Sequence, residues 1–340
     1  MSWSKPMPAE PVVAVVGATG AVGTEMMLVL EQRGFPIERL VALSSARSAG
    51  KTLFFNGAPI RVEELTAESF EGVDLALFSA GGSVSEAMAG HATAAGAVVI
   101  DNSSAFRMDP EVHVVVPEVN PEDVDTHSGI IPNPNCSTIQ MVVALKPLHD
   151  LAPIKRVVVS TYQAASGAGQ AAMDELYGQT RDFLNDEEIE PNAFAHRIAF
   201  NCIPQIDVFM EAGSTKEEWK MVVETKKIMH APDIEIAATC VRVPVLRCHA
   251  ESVNVEFDSM VSLQDARAAL AAAPGVTMLD DPSQQLYPMP GLLEGTDETY
   301  VGRLRVDPTV EHGLNLWVVA DQIRKGAALN AVQIAERLIA

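Results

Sequence analysis

Residues 12 to 23 read VVAVVGATGAVG, and this stretch decides the fold of the first part of the chain. Val12–Val16 is a continuous apolar run, which is typical of a strand buried on both faces of a parallel sheet. Three glycines follow, and Glu25–Arg33 then has the pattern of a helix that Gly34 stops. Strand, glycine turn and helix N-terminus form a cradle for a pyrophosphate, because glycines let backbone N–H groups approach the phosphates. Close packing at an ordinary turn is the alternative; the position directly after a strand favours a dinucleotide site.

The residues after the next predicted strand, Leu40–Leu43, indicate which dinucleotide binds. Sites that prefer NAD usually place an Asp or Glu about 20 residues beyond the glycines, where it holds the ribose hydroxyls. Here Ser44–Lys51 contains no carboxylate and two cations, Arg47 and Lys51. These cations suit the 2′-phosphate of NADP, although a solvated polar loop would have the same composition. The sequence therefore predicts NADP as the cofactor.

The alternation of strand and helix continues as far as residue 100. Val73–Phe78 and Ala97–Ile100 read as strands, with a helix between them from about Val84 to Ala95. This rhythm predicts a parallel, doubly wound sheet, whose ligands bind beyond the carboxyl ends of the strands. Ser79–Gly82 and Asp101–Arg107 both follow strands and should lie at that edge. Arg107 is a candidate for holding an anion, although most single arginines lie on the surface.

Cys136 is the strongest candidate for a nucleophile. It lies between the turn Asn133-Pro134-Asn135 and an apolar segment, Ile139–Leu148, that reads as a helix. A thiol at a helix N-terminus meets the positive end of the helix dipole, which favours the thiolate and therefore nucleophilic attack. A buried structural cysteine is the alternative.

Length, charge and cysteine content exclude several classes of protein. A chain of 340 residues exceeds the size at which one core stops growing, so two domains are expected. The net charge of −21 disfavours nucleic acid or an anionic membrane surface as a partner. No apolar run has the roughly 18 residues of a membrane span, and residues 1–10 lack the basic start and apolar stretch of a secretory signal. Four cysteines are too few for a disulfide framework, so we expect a cytoplasmic protein with free thiols.

The chain after Cys136 predicts a second, α+β domain. Val157–Gln163, Ser252–Phe257 and Leu314–Ala320 read as strands, and Gln170–Thr180 reads as a helix after a turn of small residues. Asp280–Gly295 is rich in glycine and proline and predicts a long loop. We expect the cofactor domain to cover residues 1–131 and the catalytic and dimerisation domain residues 132–320. A C-terminal helix, Gly326–Leu338, within residues 321–340 should return to the cofactor domain. Apolar strands in a second domain often form a subunit interface, which predicts a homodimer or homotetramer.

His249 is the candidate proton partner of the thiol. It follows Thr239–Cys248, an apolar segment that reads as a strand and contains Arg242. If that segment were straight, Arg242 and His249 would be about 23 Å apart at roughly 3.3 Å per residue. The chain must therefore bend, with Pro244 as the expected position, if both serve one site. Zinc bound by Cys240, Cys248 and His249 is a rival interpretation, but this spacing matches no usual structural zinc site.

One further cluster of charges has two explanations. In the helix predicted around Trp219–Ile228, Lys220, Glu224 and Lys227 share a face because they are three and four residues apart. A ligand site and a solvated, salt-bridged face explain this pattern equally well.

Seven motifs, which together span nearly the whole chain, resemble those of the aspartate-semialdehyde dehydrogenase family. In order along the chain they are Gly17-Ala18-Thr19-Gly20-Ala21-Val22-Gly23, Asn133-Pro134-Asn135-Cys136-Ser137-Thr138, Gln163-Ala164-Ala165-Ser166-Gly167-Ala168-Gly169, Glu218-Trp219-Lys220, Glu224-Thr225-Lys226-Lys227-Ile228, Arg242-Val243-Pro244-Val245 with His249, and Arg324-Lys325-Gly326-Ala327-Ala328-Leu329-Asn330. There are two departures: Gln322 stands where many relatives have asparagine, and Cys248 where glycine is common.

The resemblance implies a role for each candidate residue. Cys136 would be the catalytic thiol, His249 the acid/base and Gln163 an amide that orients the substrate. The implied substrate-binding residues are Arg107, Asn135, Glu224, Lys227 and Arg242. Among these, Arg242 would bind the α-carboxylate and Glu224 the amino group, with the phosphate held by Arg107 and Lys227. The implied NADP-binding residues are Gly17, Thr19, Gly20, Ala21, Val22, Gly23, Arg47, Ser48, Ser79, Ala80, Gly81, Ser166, Gly167 and Gln322.

The resemblance also implies the reaction. It is the NADP-dependent reductive dephosphorylation of L-aspartyl 4-phosphate to L-aspartate 4-semialdehyde, with release of inorganic phosphate, through a thioester on Cys136. This step serves the biosynthesis of lysine by way of diaminopimelate, and of threonine, methionine and isoleucine. No metal is implied.

Two other functions fit parts of the sequence. N-acetylglutamyl-phosphate reductases resemble this family in fold and thioester chemistry, but their substrate is one methylene longer and N-acetylated. Glu224 favours a free amine and therefore the aspartyl compound. A protein that binds NADP but is catalytically idle would keep the glycine turn and have an inert Cys136.

Overall fold

The computed structural model describes Trp3 and residues 5–339 of the 340-residue chain. These residues form two compact units. One unit contains the residues up to Asn135 together with those from Ala327 onward, and the other is Cys136–Gly326. The chain thus leaves the first unit directly before the candidate nucleophile and re-enters it directly after a glycine. The two points at which the chain passes between the units, after Asn135 and after Gly326, lie a few residues beyond the predicted limits at 131 and 320.

The secondary structure of the described residues consists of helices and strands in alternation. The α-helices are α1 (Ala21–Gln32), α2 (Gly82–Ala94), α3 (Cys136–His149), α4 (Gln170–Leu184), α5 (Lys216–Ile228), α6 (Leu263–Ala272), α7 (Pro290–Leu293) and α8 (Leu329–Ile339). The strands are β1 (Val12–Val16), β2 (Arg39–Ser44), β3 (Thr52–Phe55), β4 (Ala58–Arg61), β5 (Glu63–Glu64), β6 (Leu75–Phe78), β7 (Val98–Asp101), β8 (Ile130–Pro132), β9 (Ile154–Gln163), β10 (Glu235–Arg242), β11 (His249–Phe257), β12 (Val276–Met278), β13 (Thr299–Asp307) and β14 (Gly313–Ala320). Within this part of the chain, no helix combines the length and apolar content needed to span a membrane.

The first unit is built on a parallel sheet. Its six strands lie in the order β5-β2-β1-β6-β7-β8, and every neighbouring pair runs parallel. The predicted α/β, doubly wound class is confirmed. β1 lies between β2 and β6, so the chain builds one side of the sheet and then crosses to the other. The carboxyl ends of β1 and β6 therefore flank the switch point at which such folds bind ligands.

Both faces of β1 are buried, which explains its continuous apolar sequence. Val13 and Val15 belong to a core formed with α1 and α8, whereas Val12, Ala14 and Val16 belong to a second core with α2. The predicted strand at residues 12–16 is confirmed. The predicted helix start at Glu25 is wrong, because α1 begins at Ala21. Gly20 caps α1 in an extended conformation, so the last residues of the glycine motif form the first helical turn.

The glycine turn holds β1, β6 and α1 close together. Gly17 has φ +87°, and a Cβ at this position would lie 3.0 Å from the carbonyl carbon and oxygen of Ser79. A Cβ on Gly23 would overlap the carbonyl oxygen of Gly17 and lie 2.8 Å from its carbonyl carbon. Two of the three glycines are therefore required by close backbone approach, and Gly17 also by its left-handed conformation.

The second unit is built on a mixed sheet with the strand order β10-β9-β11-β14-β13-β12. The β9–β10 and β12–β13 pairs are parallel and the other pairs are antiparallel. Helices α3, α5 and α6 pack against this sheet. The second α+β domain predicted from the sequence is thus present.

Two predicted elements of the second unit need correction. Thr239–Cys248 is not one strand: β10 ends at Arg242, and β11 begins at His249. Val243–Cys248 is the connecting loop, and the required bend spans all of it rather than Pro244 alone. The predicted loop Asp280–Gly295 contains a 3₁₀ turn at Pro282–Gln284 and the one-turn helix α7.

The C-terminal helix also begins later than its pattern suggests. Residues 326–338 were expected to form one α-helix, but Arg324–Ala328 is a turn of π-helix and α8 starts at Leu329. α8 packs beside α1 and β7 in the first unit. Single π-turns inside helices are frequent at functional sites, and this one includes Gly326.

We expect Gly23→Ala to destabilise the protein, because the added methyl group must displace backbone atoms of Gly17. Overpacking of this kind costs about 1–3 kcal/mol in free energy of unfolding. Gly90→Ala is the matched control: Gly90 is exposed inside α2, and a Cβ there would have no neighbour within 4 Å. That change should raise the free energy of unfolding by up to about 1 kcal/mol. Urea unfolding of both variants measures the difference, and equal midpoints would contradict the close approach.

Candidate active site

Strand pairing places three predicted site residues at one end of the second sheet. β9 and β10 are parallel, and Gln163 pairs with Arg242 where both strands end. β11 is antiparallel to β9, so its first residue, His249, lies at that same end. The chain reverses through the loop Val243–Cys248, which brings Arg242 and His249 together despite their separation in the sequence.

His249 is fully buried and has one nitrogen already engaged. Its Nδ1 accepts a hydrogen bond from the backbone N–H of Ala164 at 3.1 Å, so the neutral ring carries its proton on Nε2. Nε2 has no hydrogen-bond partner among the described residues. Burial, and next the positive charge of Arg242, hold the pKa of His249 well below its ordinary value. The ring is therefore neutral at neutral pH, with an Nε2–H that can be donated to a bound group.

Arg242 and His249 meet at Gly167. The Nη1 atom of Arg242 donates to the carbonyl oxygen of Ala164 at 2.7 Å. A Cβ on Gly167 would lie 2.7 Å from this Nη1 and 3.1 Å from Nε2 of His249. Only a residue without a side chain leaves room for both groups. Gly167 was predicted to contact the cofactor; in the structure it lies against the side chains of Arg242 and His249.

Cys136 is the first residue of α3 and is partly exposed. The π-turn packs against it: a Cβ on Gly326 would lie 2.9 Å from Cβ of Cys136. Burial lowers the pKa of Arg242, and the charge of Cys136 acts against this shift, so the two groups are within electrostatic range. The predicted position of the thiol at a helix N-terminus is confirmed.

Gln163 is held by a chain of charged groups that begins on α5. Its Nε2 donates to Oε1 of Glu217 at 3.2 Å, and Glu217 in turn pairs with Lys220 at 3.2 Å. Nζ of Lys220 also contacts Asp207 at 2.7 Å. Burial would lower the pKa of Lys220, but Glu217 and Asp207 outweigh burial and raise it. The chain fixes the amide of Gln163 with charges that compensate one another.

The charged face of α5 is not solvated along its length. Glu224 is fully buried, Lys220 is 9% exposed and Lys227 is half-buried. A solvated, salt-bridged face therefore does not describe Glu224 or Lys220. Lys220 belongs to the group that holds Gln163, which leaves Glu224 and Lys227 as candidates for contact with a ligand.

Gln322 connects the turn at Ser166 to the residue before His249. Its Oε1 accepts from the backbone N–H of Cys248 at 2.8 Å, and its Nε2 donates to Oγ of Ser166. Cys248 has φ +72°, a conformation that glycine adopts without strain. This geometry explains why a glycine would suit position 248. Burial raises the pKa of the Cys248 thiol, and Sγ of Cys240 packs 3.6 Å from the sulfur of Met221, so both thiols are protonated core groups.

The first unit carries the predicted dinucleotide cradle. Gly20 caps α1 without a side-chain hydrogen bond, and Ala21–Thr24 contributes no acidic side chain to the first turn. The N–H groups of that turn have no acceptor within the helix and bear its positive dipole. Gly81, with φ +91°, caps α2 beside it at the end of β6. Ser79 and Ala80 lie between, with Oγ of Ser79 bonded to the Val16 carbonyl at 3.1 Å.

The residues expected to select NADP follow β2. Oγ1 of Thr19 and Oγ of Ser44 are 2.9 Å apart, which ties the glycine turn to the end of that strand. Ser48 is buried and its Oγ accepts from Nζ of Lys51 at 3.4 Å, while Arg47 is exposed. Both cations are thus close to the position at which an NAD site would carry a carboxylate.

Arg107 is not a surface arginine. It is 5% exposed, with Nε donating to the carbonyl of Asn133 at 2.9 Å and Nη2 to that of Asn102 at 2.8 Å. The side chain of Asn330 bonds Oδ1 of Asn133 at 2.6 Å and so fixes the turn that leads to Asn135. A buried guanidinium held by two backbone carbonyls fits an anion-binding role.

The two units match two family models. Residues 12–127 match the NAD binding domain of semialdehyde dehydrogenase, and residues 145–325 match its dimerisation domain. An aspartate-semialdehyde dehydrogenase from Aquifex aeolicus is 57% identical over 331 residues, which is 96% of this chain and 97% of the relative. The chain belongs to the aspartate-semialdehyde dehydrogenase family. The expected family is therefore confirmed.

Solved structures of aspartate-semialdehyde dehydrogenases share the fold. The crystal structure of aspartate semialdehyde dehydrogenase II from Vibrio cholerae, complexed with ASA, has a TM-score of 0.93 and 49% identity, over 97% of this chain and 98% of that one. An aspartate semialdehyde dehydrogenase with NADP from Candida albicans has a TM-score of 0.76 and 26% identity, over 97% of this chain and 98% of that one.

Three features of the site were not predicted. Glu217 was not singled out, although a capping box of Thr215 and Glu218 could have located the helix start at which it lies. Gly326 lies in the motif Arg324–Asn330, in which the sequence assigned no residue a role. Asn330 belongs to the same motif, and its bond to Asn133 joins two segments nearly 200 residues apart, a separation that spacing arguments do not address.

We expect Gly326→Ala to slow the alkylation of Cys136, because the new methyl group would lie within contact distance of its Cβ and force the π-turn or the thiol to move. A loss of about tenfold in rate corresponds to a typical overpacking cost. A Cys202→Ala background removes the one exposed thiol. Gly178→Ala in α4 is the control, because a Cβ there would have no neighbour within 4 Å. The two variants should differ in the rate of labelling by iodoacetamide; the same rate in both would rule out the proposed contact.

Proposed function

We propose that the chain is an NADP-dependent aspartate-semialdehyde dehydrogenase that reduces L-aspartyl 4-phosphate through a thioester on Cys136. The observation that carries the proposal is the meeting of Arg242 and His249 at Gly167, with Arg242 in electrostatic range of Cys136. A nucleophile, a proton carrier and a carboxylate-binding fork are then available in one unit.

The charges of the site residues favour an aspartyl substrate. Arg242 suits the α-carboxylate because a planar guanidinium can pair both oxygens. Glu224 is assigned to the amino group and favours the free amine of the aspartyl compound over an N-acetylated substrate. Arg107 and Lys227 are each assigned to the phosphate, and Asn135 to the substrate site as well. The V. cholerae structure with ASA supports aspartate semialdehyde as the substrate.

The first step is transfer of the acyl group to the thiol. The thiolate of Cys136 forms a bond to the acyl carbon, the bond from that carbon to the phosphate oxygen breaks, and inorganic phosphate leaves. The N–H groups of the first turn of α3 can donate hydrogen bonds to the oxyanion that develops on the carbonyl. Gln163, held by Glu217, orients the acyl group.

The second step is reduction of the thioester. NADPH, when bound, supplies the hydride. His249 holds its proton on Nε2 and can donate it to the oxygen of the resulting thiohemiacetal, then take it back as the carbon–sulfur bond breaks. Breaking that bond releases the aldehyde and restores the thiolate of Cys136. The lowered pKa of His249 suits this shuttle, because the ring stays neutral between turnovers.

The cofactor proposal rests on the first unit. The close approach of Gly17 to Ser79 and the uncapped start of α1 fit a pyrophosphate. The proposed contacts are Gly17, Thr19, Gly20, Ala21, Val22, Gly23, Ser79, Ala80 and Gly81, with Arg47 and Ser48 at the 2′-phosphate and Ser166, Gly167 and Gln322 toward the nicotinamide. The Candida albicans relative with NADP supports this choice.

The cellular setting follows from the proposed reaction. Its product supplies the biosynthesis of lysine by way of diaminopimelate, and of threonine, methionine and isoleucine. We place the protein in the cytoplasm as a homodimer or homotetramer. A match to a dimerisation domain over residues 145–325 supports the oligomer.

Cys136→Ala should abolish phosphate-dependent formation of NADPH from L-aspartate 4-semialdehyde, because no thioester can form. Loss of a catalytic nucleophile costs at least about a thousandfold in kcat. Cys202→Ala is the control, since that thiol is exposed and no role in the reaction is proposed for it. The assay follows NADPH absorbance with inorganic phosphate present, and N-acetylglutamate semialdehyde serves as the competing substrate. Appreciable turnover by Cys136→Ala would refute the covalent mechanism, and a preference for the acetylated aldehyde would refute the substrate.

Arg47→Glu should reverse or abolish the preference for NADP over NAD. A charge-assisted bond to the 2′-phosphate is worth a factor of about ten to a hundred in kcat/KM. Arg39→Glu makes the same change of charge at the opposite end of β2, where the side chain is also exposed. The ratio of kcat/KM for the two cofactors should change only in Arg47→Glu, and an unchanged ratio there would refute the assignment.

A further inference from the structure

A third glutamate lies in the interior of the catalytic unit and, unlike Glu217 and Glu224, has no role in the reaction described above. Glu251 is fully buried on β11, two residues after His249, so both side chains point to the same face of the sheet. Neither of its carboxyl oxygens has a hydrogen-bond partner among the described residues. A buried carboxylate without partners is strongly disfavoured, so this group needs an explanation.

No described residue offers Glu251 a positive charge at bonding distance. Thr161 lies opposite it on β9. The side chains of Cys240 and Gln140 are close enough to interact with Glu251. Burial raises the pKa of Glu251 well above its ordinary value, and the nearby amide of Gln140 opposes this only in part. His249, the nearest ionisable group along its own strand, is itself neutral. These conditions favour a protonated carboxyl group.

Within the described chain, Gln140 also has a side-chain oxygen without a hydrogen-bond donor. It lies one helical turn after Cys136 on α3 and is fully buried. Its Nε2 donates to the backbone carbonyl of His249 at 3.4 Å, whereas its Oε1 has no partner in the described part of the chain. Gln140 is also the side chain that acts on Glu251, so buried oxygens without donors among the described residues belong to two side chains within range of each other. A single proton shared between the two side chains would give a donor to both.

We propose that Glu251 is a neutral carboxylic acid whose O–H donates to Oε1 of Gln140 and thereby fixes the amide that holds the backbone of His249. The bond would tie α3, which carries Cys136, to β11, which carries His249. Glu251 is thus a positioning residue. Its effect on turnover rests on the proposed function, but its protonation state does not.

The proton also determines which way the amide points. With a neutral acid as donor, Oε1 of Gln140 must face Glu251, and the NH₂ group must face the His249 carbonyl. With a carboxylate, an N–H of the amide would be drawn toward Glu251 and away from the His249 carbonyl, and Oε1 would stay without a donor. The protonated acid therefore selects the one amide orientation that supports the proton carrier.

Infrared difference spectroscopy of the full-length protein tests the protonation state without any assay of activity. Wild type minus Glu251→Gln at pH 7 to 8 should show the carbonyl band of a protonated carboxyl group, sensitive to exchange into D₂O. Wild type minus Gln140→Leu should show the same band shifted, so either variant assigns it if the other fails to fold. Carboxylate bands in place of the protonated band would overturn the proposal.

Turnover supplies the second test. Glu251→Gln keeps a donor toward Oε1 of Gln140, so kcat should stay within about threefold of wild type. Glu251→Leu leaves Gln140 free to turn, and kcat should fall by about tenfold or more with KM nearly unchanged. A loss in Glu251→Gln equal to that in Glu251→Leu would overturn the positioning role. Inactive wild type with an intact protonated band would instead refute only the proposed function.

Discussion

The pairing of β9 with a parallel strand on one side and an antiparallel strand on the other is the constraint on which the catalytic unit depends. It places the end of β9, the end of β10 and the start of β11 at a single edge. An all-antiparallel or all-parallel arrangement of these three strands would separate Arg242 from His249. The loop Val243–Cys248 only has to reverse the chain, and it does so with one residue, Cys248, in a left-handed conformation.

A polar layer between the sheet and its helices is the electrostatic consequence of this arrangement. Burial lowers the pKa of His249 and raises that of Glu251, so both are neutral where a charge would be costly. Arg242 donates to a carbonyl at 2.7 Å, and the charges of Cys136 and Glu217 act against the lowering of its pKa by burial. His249 and Glu251 add no charge that competes with Arg242, so its guanidinium suits the carboxylate of an anionic substrate.

Sequence reasoning succeeded where a signal is local and failed where it depends on distant pairing. The run from Val12 to Gly23 predicts strand, turn and cofactor fold because each part is a contiguous pattern. The position of Cys136 at a helix start was predictable for the same reason. The meeting of Arg242 with His249 was not, because strand direction is set by β9, some eighty residues earlier. Glu251 has no local signal, since one acidic residue in a strand usually faces solvent.

The two departures from the family pattern are coupled in this chain. Gln322 would be expected to contact the nicotinamide, yet both ends of its amide are engaged, with the Cys248 N–H at 2.8 Å and with Oγ of Ser166. The bond to Cys248 holds the left-handed residue directly before His249. A shorter asparagine at 322 would reach less far, and a glycine at 248 would need less support for the same backbone. The longer amide and the strained cysteine therefore compensate each other, and a cofactor contact by Gln322 must compete with the bond that sets the start of β11.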